Sequence, residues 1–305
     1  MSVTNQRRWQ RHTRRSVEAG LGYFFVLPTL LLIALLLVGP LVKAFNSSLT
    51  NSSFINPVPQ FVGWDNYVQI VHDPMFLQIV QTTAIWTMAV VIAQLVLGFA
   101  TALLLNRTFR GRALVRALII MPWVCPGVIA AIIWRVIDDP YLGPLDGLLA
   151  WLGVPHPNIA WLGQPQTALG GLVIAAIWKG TPFSTVMYLA ALQSVPAELL
   201  EAATIDGAGA WARLRSVIIP QTMPVIRVIL VFTIVWTFNS FDLIYVLTQG
   251  GPANSTQTFP TWIYKLAFSE TDFGPASAYG MIALLLLMAF SLLYIWQLNR
   301  ARILD

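Results

Sequence analysis

An all-α membrane protein built as a bundle of six transmembrane helices is what this sequence predicts, and three observations predict it. Apolar residues make up 57% of the 305 residues and charged residues only 10%, whereas a soluble domain carries about a quarter charged residues. The apolar residues gather into six runs, each long enough to cross hydrocarbon, which takes about 20 residues per helix. Charges outside the runs segregate, basic in alternate connections. At 33.8 kDa no large extramembrane domain fits beside six spans.

The first run, 21–44, follows the Arg-rich stretch 1–20. It is too long for the apolar core of a signal peptide and has no convincing small-residue cleavage site behind it, so it reads as a retained span. Run 77–105 comes next, then 114–137, which is punctuated by Pro122, Pro126 and Gly127. Run 167–192 carries Gly180 and Pro182, and runs 223–247 and 277–297 complete the set. Each proline removes a backbone donor, and such breaks persist in hydrocarbon only where protein or a wet cavity satisfies the freed carbonyls. Residues 21–298 thus read as one membrane domain, flanked by a basic N-terminus and a tail, 299–305. Asn56-Pro57-Val58-Pro59 and Gly250-Gly251-Pro252 read as turns.

The N-terminus, the second and fourth connections and the tail together hold 14 positive and 5 negative charges, from Arg7 through Arg107, Arg110, Arg112, Arg116, Arg213, Arg215 and Arg227 to Arg302. The first, third and fifth connections with their edges hold 3 positive against 7 negative, among them Asp65, Asp73, Asp138, Asp139 and Asp146. Basic flanks stay in the cytoplasm, which predicts both termini inside. The pI of about 9.6 is then a topology signal and not a nucleic-acid patch.

Composition removes several chemistries. Cys125 is the only cysteine and cannot form an intrachain disulfide, and His12, His72 and His156 are too far apart for a local metal motif. None of the three lysines is followed by Ser or Thr, so no phosphate-binding P-loop exists and any nucleotide energy must come from a partner.

The fourth connection, 193–222, carries its own helical instructions. Ser194 or Val195 is expected to cap a helix with Pro196 in its first turn, and Glu198 and Glu201 suit its positive end. Leu199, Ala202, Ala203 and Asp206 follow at helical spacing, and Gly207 supplies a stop. A second helix is expected from Ala210 to about Ile219, ended by Pro220.

Glu201-Ala202-Ala203, three residues, Gly207, nine residues and Val217-Ile218-Ile219-Pro220 resemble the EAA loop of permease subunits in binding-protein-dependent ABC importers. The family's usual ending is Ile-x-Leu-Pro, from which this chain departs conservatively. The stretch from Asn239-Ser240-Phe241-Asp242 to Ser255-Thr256 resembles the carbohydrate branch, the first permease of the maltose and glycerol-phosphate type, and the whole sequence resembles that subunit in trehalose importers. The resemblance implies a type I importer fold and no catalysis in this chain. It implies as partners a second homologous permease, two ATPase subunits that bind ATP and Mg, and an extracytoplasmic sugar-binding protein. It also implies that the EAA helix inserts into a cleft of the ATPase. Glu198, Glu201, Ala202, Ala203, Asp206, Gly207 and Arg213 are the expected coupling residues: the alanines permit close docking, and the charges select a partner surface or simply face solvent.

Ionisable groups inside a span are costly, so Lys179 and Asp242 need water or a partner, and they can pair with one another. Trp236, Asn239, Ser240 and Asp242 can share a face of the fifth span, pairing an aromatic plane with hydrogen-bonding groups as sugars require; helix packing accounts for the same residues equally well. Gln94, Trp178 and Thr181 are weaker candidates, while Trp123, Trp262 and Trp296 read as interfacial aromatics. Two rivals remain. A secondary transporter or channel would use Lys179 and Asp242 for ion coupling, and an intramembrane enzyme would need a nucleophile and base that the spans hardly supply.

Overall fold

The computed structural model describes residues 25–304 apart from 57, 142 and 155–158. The basic stretch 1–20, the start of the first span, Pro57, His156 and Asp305 lie outside the described residues. Within them the chain is helical, with two isolated β-bridges, Thr50 to Phe61 and Ser53 to Asp272, and no strand.

Helix α1, Phe25–Ser48, contains a π-turn at Ala34–Val38 and has an apolar surface that buries none of its most apolar window against the rest of the chain. Such a helix is solvated by lipid or by another subunit. After short α2 (Asp65–His72), α3 (Pro74–Asn106) forms the spine. Its start is set by Asp73, whose carboxylate accepts from Met75 N at 2.9 Å, and by Pro74 in the first turn. The expected third span is two helices, α4 (Arg112–Val124) and α5 (Gly127–Ile137), bent by 104°. Pro126 is the cause: the residue before a proline is driven out of helical conformation, and Cys125 sits at φ −67°, ψ 127°.

Helix α6 (Pro144–Trp151) leads to α7 (Ala168–Gln193), which packs along α3. Two glycines permit that approach. A Cβ at Gly98 would meet Ser184 Cβ at 2.6 Å, and one at Gly180 would overlap the Gln94 side-chain amide. Helices α8 (Ala197–Ile205) and α9 (Ala210–Arg213) follow; α9 continues through a π-turn, Leu214–Ile218, into α10 (Ile219–Phe238). The chain then breaks, restarts as α11 (Asp242–Thr248), and ends with α12 (Phe259–Tyr264), a π-turn at Lys265–Ser269, and α13 (Phe273–Leu304).

Three apolar clusters line α3 along its length. Near Pro74, Ile79 packs with Phe259, Trp262 and Tyr279. In the middle, Trp86 and Val90 meet Trp134, Leu172 and Ile244. Near Asn106, Ala102 and Leu105 meet Tyr188, Leu192 and Ile229. Among the described residues five helices are long and apolar enough to cross a membrane, and the bent α4–α5 pair, taken as one span, makes six.

Candidate functional site

The bend between α4 and α5 and the break between α10 and α11 meet, α5 packing against α11. Helix α10 stops at Asn239, whose backbone N–H and side-chain Nδ2 both donate to Val235 O, at 3.2 and 2.8 Å. That local side-chain competition is a reason for Asn to end a helix. Near the break the Thr237 carbonyl accepts from Ser240 N at 3.1 Å and from Trp86 Nε1 on α3 at 3.0 Å, the internal satisfaction that irregular backbone inside a span demands.

Between the breaks lies a cavity of about 470 Å³, within the range of small-molecule sites. Trp236, Asn239, Ser240, Asp242, Lys179 and Gln94 all line it. Trp236 is 68% exposed in this single chain. The Gln94 amide is held: Nε2 donates to Ala176 O at 2.9 Å, so this buried side chain fastens α3 to α7 and keeps its oxygen and one N–H for other partners. Asn239 likewise has one of its two side-chain N–H donors on Val235 O. Lys179 and Asp242 share the cavity wall, yet no ion pair of 4.0 Å or less joins them among the described residues; the pairing that the sequence allows is not formed.

Trp123, which reads from sequence as an interfacial aromatic, lines the cavity with Phe183, 6.0 Å away between ring centroids. Trp262, read the same way, is buried against Tyr279. Trp178 packs edge-on against Trp134, and Thr181 Oγ1 donates to Ile177 O at 2.6 Å, so neither reaches the cavity. Trp86, Phe232, Thr237 and Phe241 line it without having been singled out. In an almost uniformly apolar helix, sequence spacing does not tell a cavity face from a lipid face.

The second feature is the hairpin of α8 and α9. Pro196 occupies the N-cap position and Ser194 closes α7 instead, its Oγ donating to Ala191 O at 2.8 Å. Glu198 lies in the first turn of α8. Gly207 takes φ +78°, with its N–H on Thr204 O and the Ala208 N–H on Ala203 O, at 3.1 and 2.9 Å. This is the paired C-terminal closure that favours glycine. Arg213 Nη1 donates to Thr204 Oγ1 at 2.9 Å, tying the two helices. Pro220 does not end the second helix: the Ile219 N–H bonds five residues back to Leu214 O. That widened turn shifts the ladder just before the proline and carries the chain into α10. Glu198, Glu201, Ala202 and Asp206 are exposed and Ala203 half-buried. Beside them Ile205 is 86% and Trp211 71% exposed; these two side chains were legible only as apolar residues in a helical pattern.

On the connection that carries α6, Asp138 is buried with both carboxyl oxygens unpartnered. Burial first, and then the Asp146 carboxylate, push it up to about 6. Asp146 is satisfied, accepting from Ile159 N and Trp161 Nε1 at 2.8 and 2.9 Å. Among the described residues no group of three or more metal-ligating side chains forms.

Residues 94–303 match the family described as binding-protein-dependent transport system inner membrane component. Over 281 residues the chain is 36% identical to the trehalose/maltose transport system permease protein MalF of Thermococcus litoralis, covering 91% of this chain and 93% of that one. Over 274 residues it is 32% identical to the sn-glycerol-3-phosphate transport system permease protein UgpA of Yersinia pestis, covering 90% and 92%. The fold is similar to a chain of a bacterial ABC transporter involved in the import of the acidic polysaccharide alginate. The TM-score is 0.80 at 23% identity, covering 96% of this chain and 99% of that chain.

Proposed function

The chain belongs to the family of binding-protein-dependent transport system inner membrane components, and on that premise we propose that it forms part of the sugar path of an ATP-driven importer. The substrate of this reading is a sugar, of the size of a disaccharide such as trehalose or maltose. One observation carries it. Six side chains whose chemistry suits a sugar line a single cavity where two broken spans meet, the location at which transporters build substrate sites.

In this reading the chain is non-catalytic and sits in the cell membrane with both termini in the cytoplasm. A second homologous permease completes the path, two ATPase subunits bind ATP and Mg, and an extracytoplasmic sugar-binding protein delivers the substrate. The α8–α9 hairpin is the coupling element. Its exposed Ile205 and Trp211, with Leu199 at 41%, supply apolar anchors for an ATPase groove, and Glu198, Glu201, Asp206 and Arg213 set its polar rim. Because the hairpin runs without a stop into α10, displacement of α9 is passed to the break at Asn239. Purification of the intact complex with its binding protein, followed by mass spectrometry of the bound small molecule, tests the substrate. A disaccharide is expected, and an amino acid or peptide would overturn the reading.

A further inference from the structure

The cavity wall carries one ionisable group of each sign: among the described residues Lys179 and Asp242 are its only charged side chains. Asp242 also has a particular position. It opens α11, and its carboxylate lies against the first residue of α5, where a Cβ at Gly127 would stand 3.1 Å from Oδ2. Helix α5 is 11 residues long and starts at the bend inside the α4–α5 pair. The start of such a half-helix carries partial positive charge and free N–H groups, and in transporters it is where an anionic substrate group is received. Here the chain's own carboxylate stands at that end.

We propose that Asp242 is a specificity-determining charge filter, which makes the path selective for uncharged saccharides and excludes those bearing carboxylate, sulfonate or phosphate groups. The inference rests on the cavity being the sugar path and adds the charge class of the sugar. With the Asp242 carboxylate beside the start of α5, Lys179 is the one cation among the described lining residues to receive an anion, and Asp242 opposes it from the same wall. An anionic sugar would bring a second negative charge beside a carboxylate in a medium far less polar than water, whereas a neutral sugar bears no such cost. The carboxylate accepts hydroxyl hydrogen bonds from the neutral sugar, so the group that rejects one class holds the other.

Ser240, two residues from Asp242 and on the same cavity wall, supplies the reporter. Ser240→Cys is introduced together with Cys125→Ala, in the full complex with cysteine-free partner subunits. Its reaction rates with neutral, sulfonate-bearing and ammonium-bearing methanethiosulfonates are measured relative to a free thiol. Removing one charge from a partly wet cavity should change the rate of a charged reagent about fivefold. Asp242→Asn should therefore speed the anionic reagent about fivefold and leave the neutral one unchanged. Lys179→Gln should slow the anionic reagent by a similar factor, and it carries the test if Asp242→Asn does not assemble. Rates of charged reagents that stay within twofold in the variants overturn the filter. The sugar path itself is read separately: a neutral disaccharide should protect Ser240→Cys from the neutral reagent, and absence of protection overturns that reading whatever the charge dependence.

Discussion

The contact between α3 and α7 allows a magnitude to be worked for one perturbation, Gly180→Ala. The new methyl group would overlap the Gln94 amide, which is 6% exposed and donates to Ala176 O at 2.9 Å. The amide must leave its place. Losing the bond and stranding a buried amide costs about 1–3 kcal/mol, and forcing a methyl into a packed interface costs about 1–3 kcal/mol more. The total is about 2–6 kcal/mol, or about 3–9 °C in melting temperature for a chain of this size. Lys179 adjoins the altered position on the cavity wall, so uptake should fall with stability. The assay is thermal unfolding of the purified complex with sugar uptake in parallel, for Gly180→Ala, Gln94→Ala and the pair. Because the methyl and the amide compete for one space, the double variant should be more stable than the sum of the single losses by about 1–3 kcal/mol. A Gly180→Ala complex that melts normally, or a strictly additive double variant, would refute this account of the helix contact.

Gly207→Pro cannot keep φ +78°, and Ala203→Asp sets a charge in the docking face, so both should abolish uptake while membrane insertion, read by fractionation, persists. Trp236→Ala should remove a stacking surface and Asn239→Ala about one hydrogen bond, each on the order of 1 kcal/mol, so sugar transport should fall several-fold with complex assembly kept. Loss of assembly with unchanged sugar preference would instead mark these residues as helix packing. Asp138, raised from 3.8 to about 6, binds a proton more tightly folded than unfolded, so folding stability falls as pH rises from about 4 to 6 and stays lower above that. Asp138→Asn should flatten this dependence and raise the melting temperature at pH 7.5, where the buried charge costs on the order of 2 kcal/mol, with little change at pH 4.

Much of this architecture is legible in the sequence because a bilayer imposes a length on apolar runs. The turn at Gly207 is legible for a similar reason: a positive φ after a helix is a position where glycine is favoured. The two breaks are harder. Pro126 announces one, but the 104° bend depends on how α5 packs against α11, which no local pattern encodes. Pro220 misleads in the other direction, since a proline ends a helix by rule and is here absorbed by the π-turn before it. The residues of α10 and α11 in the cavity were picked for polarity in an apolar setting, a signal that survives in sequence. Trp123 and Phe232 carry no such signal, because an aromatic side chain suits lipid, interface and cavity alike. The unpartnered burial of Asp138 depends on groups farther along the chain, Gly171 on α7 and Asp146 on α6, a long-range arrangement that composition cannot reveal.

The central claim is that this chain carries sugar through energy supplied by separate ATPase subunits. Its most direct test is radiolabelled disaccharide uptake into proteoliposomes containing the whole complex, with its binding protein on the outside and ATP sealed within. The account predicts accumulation that requires both ATP and the binding protein, survives collapse of every ion gradient, and disappears in Ala203→Asp. Uptake that continues without ATP and follows an imposed proton or sodium gradient would contradict it.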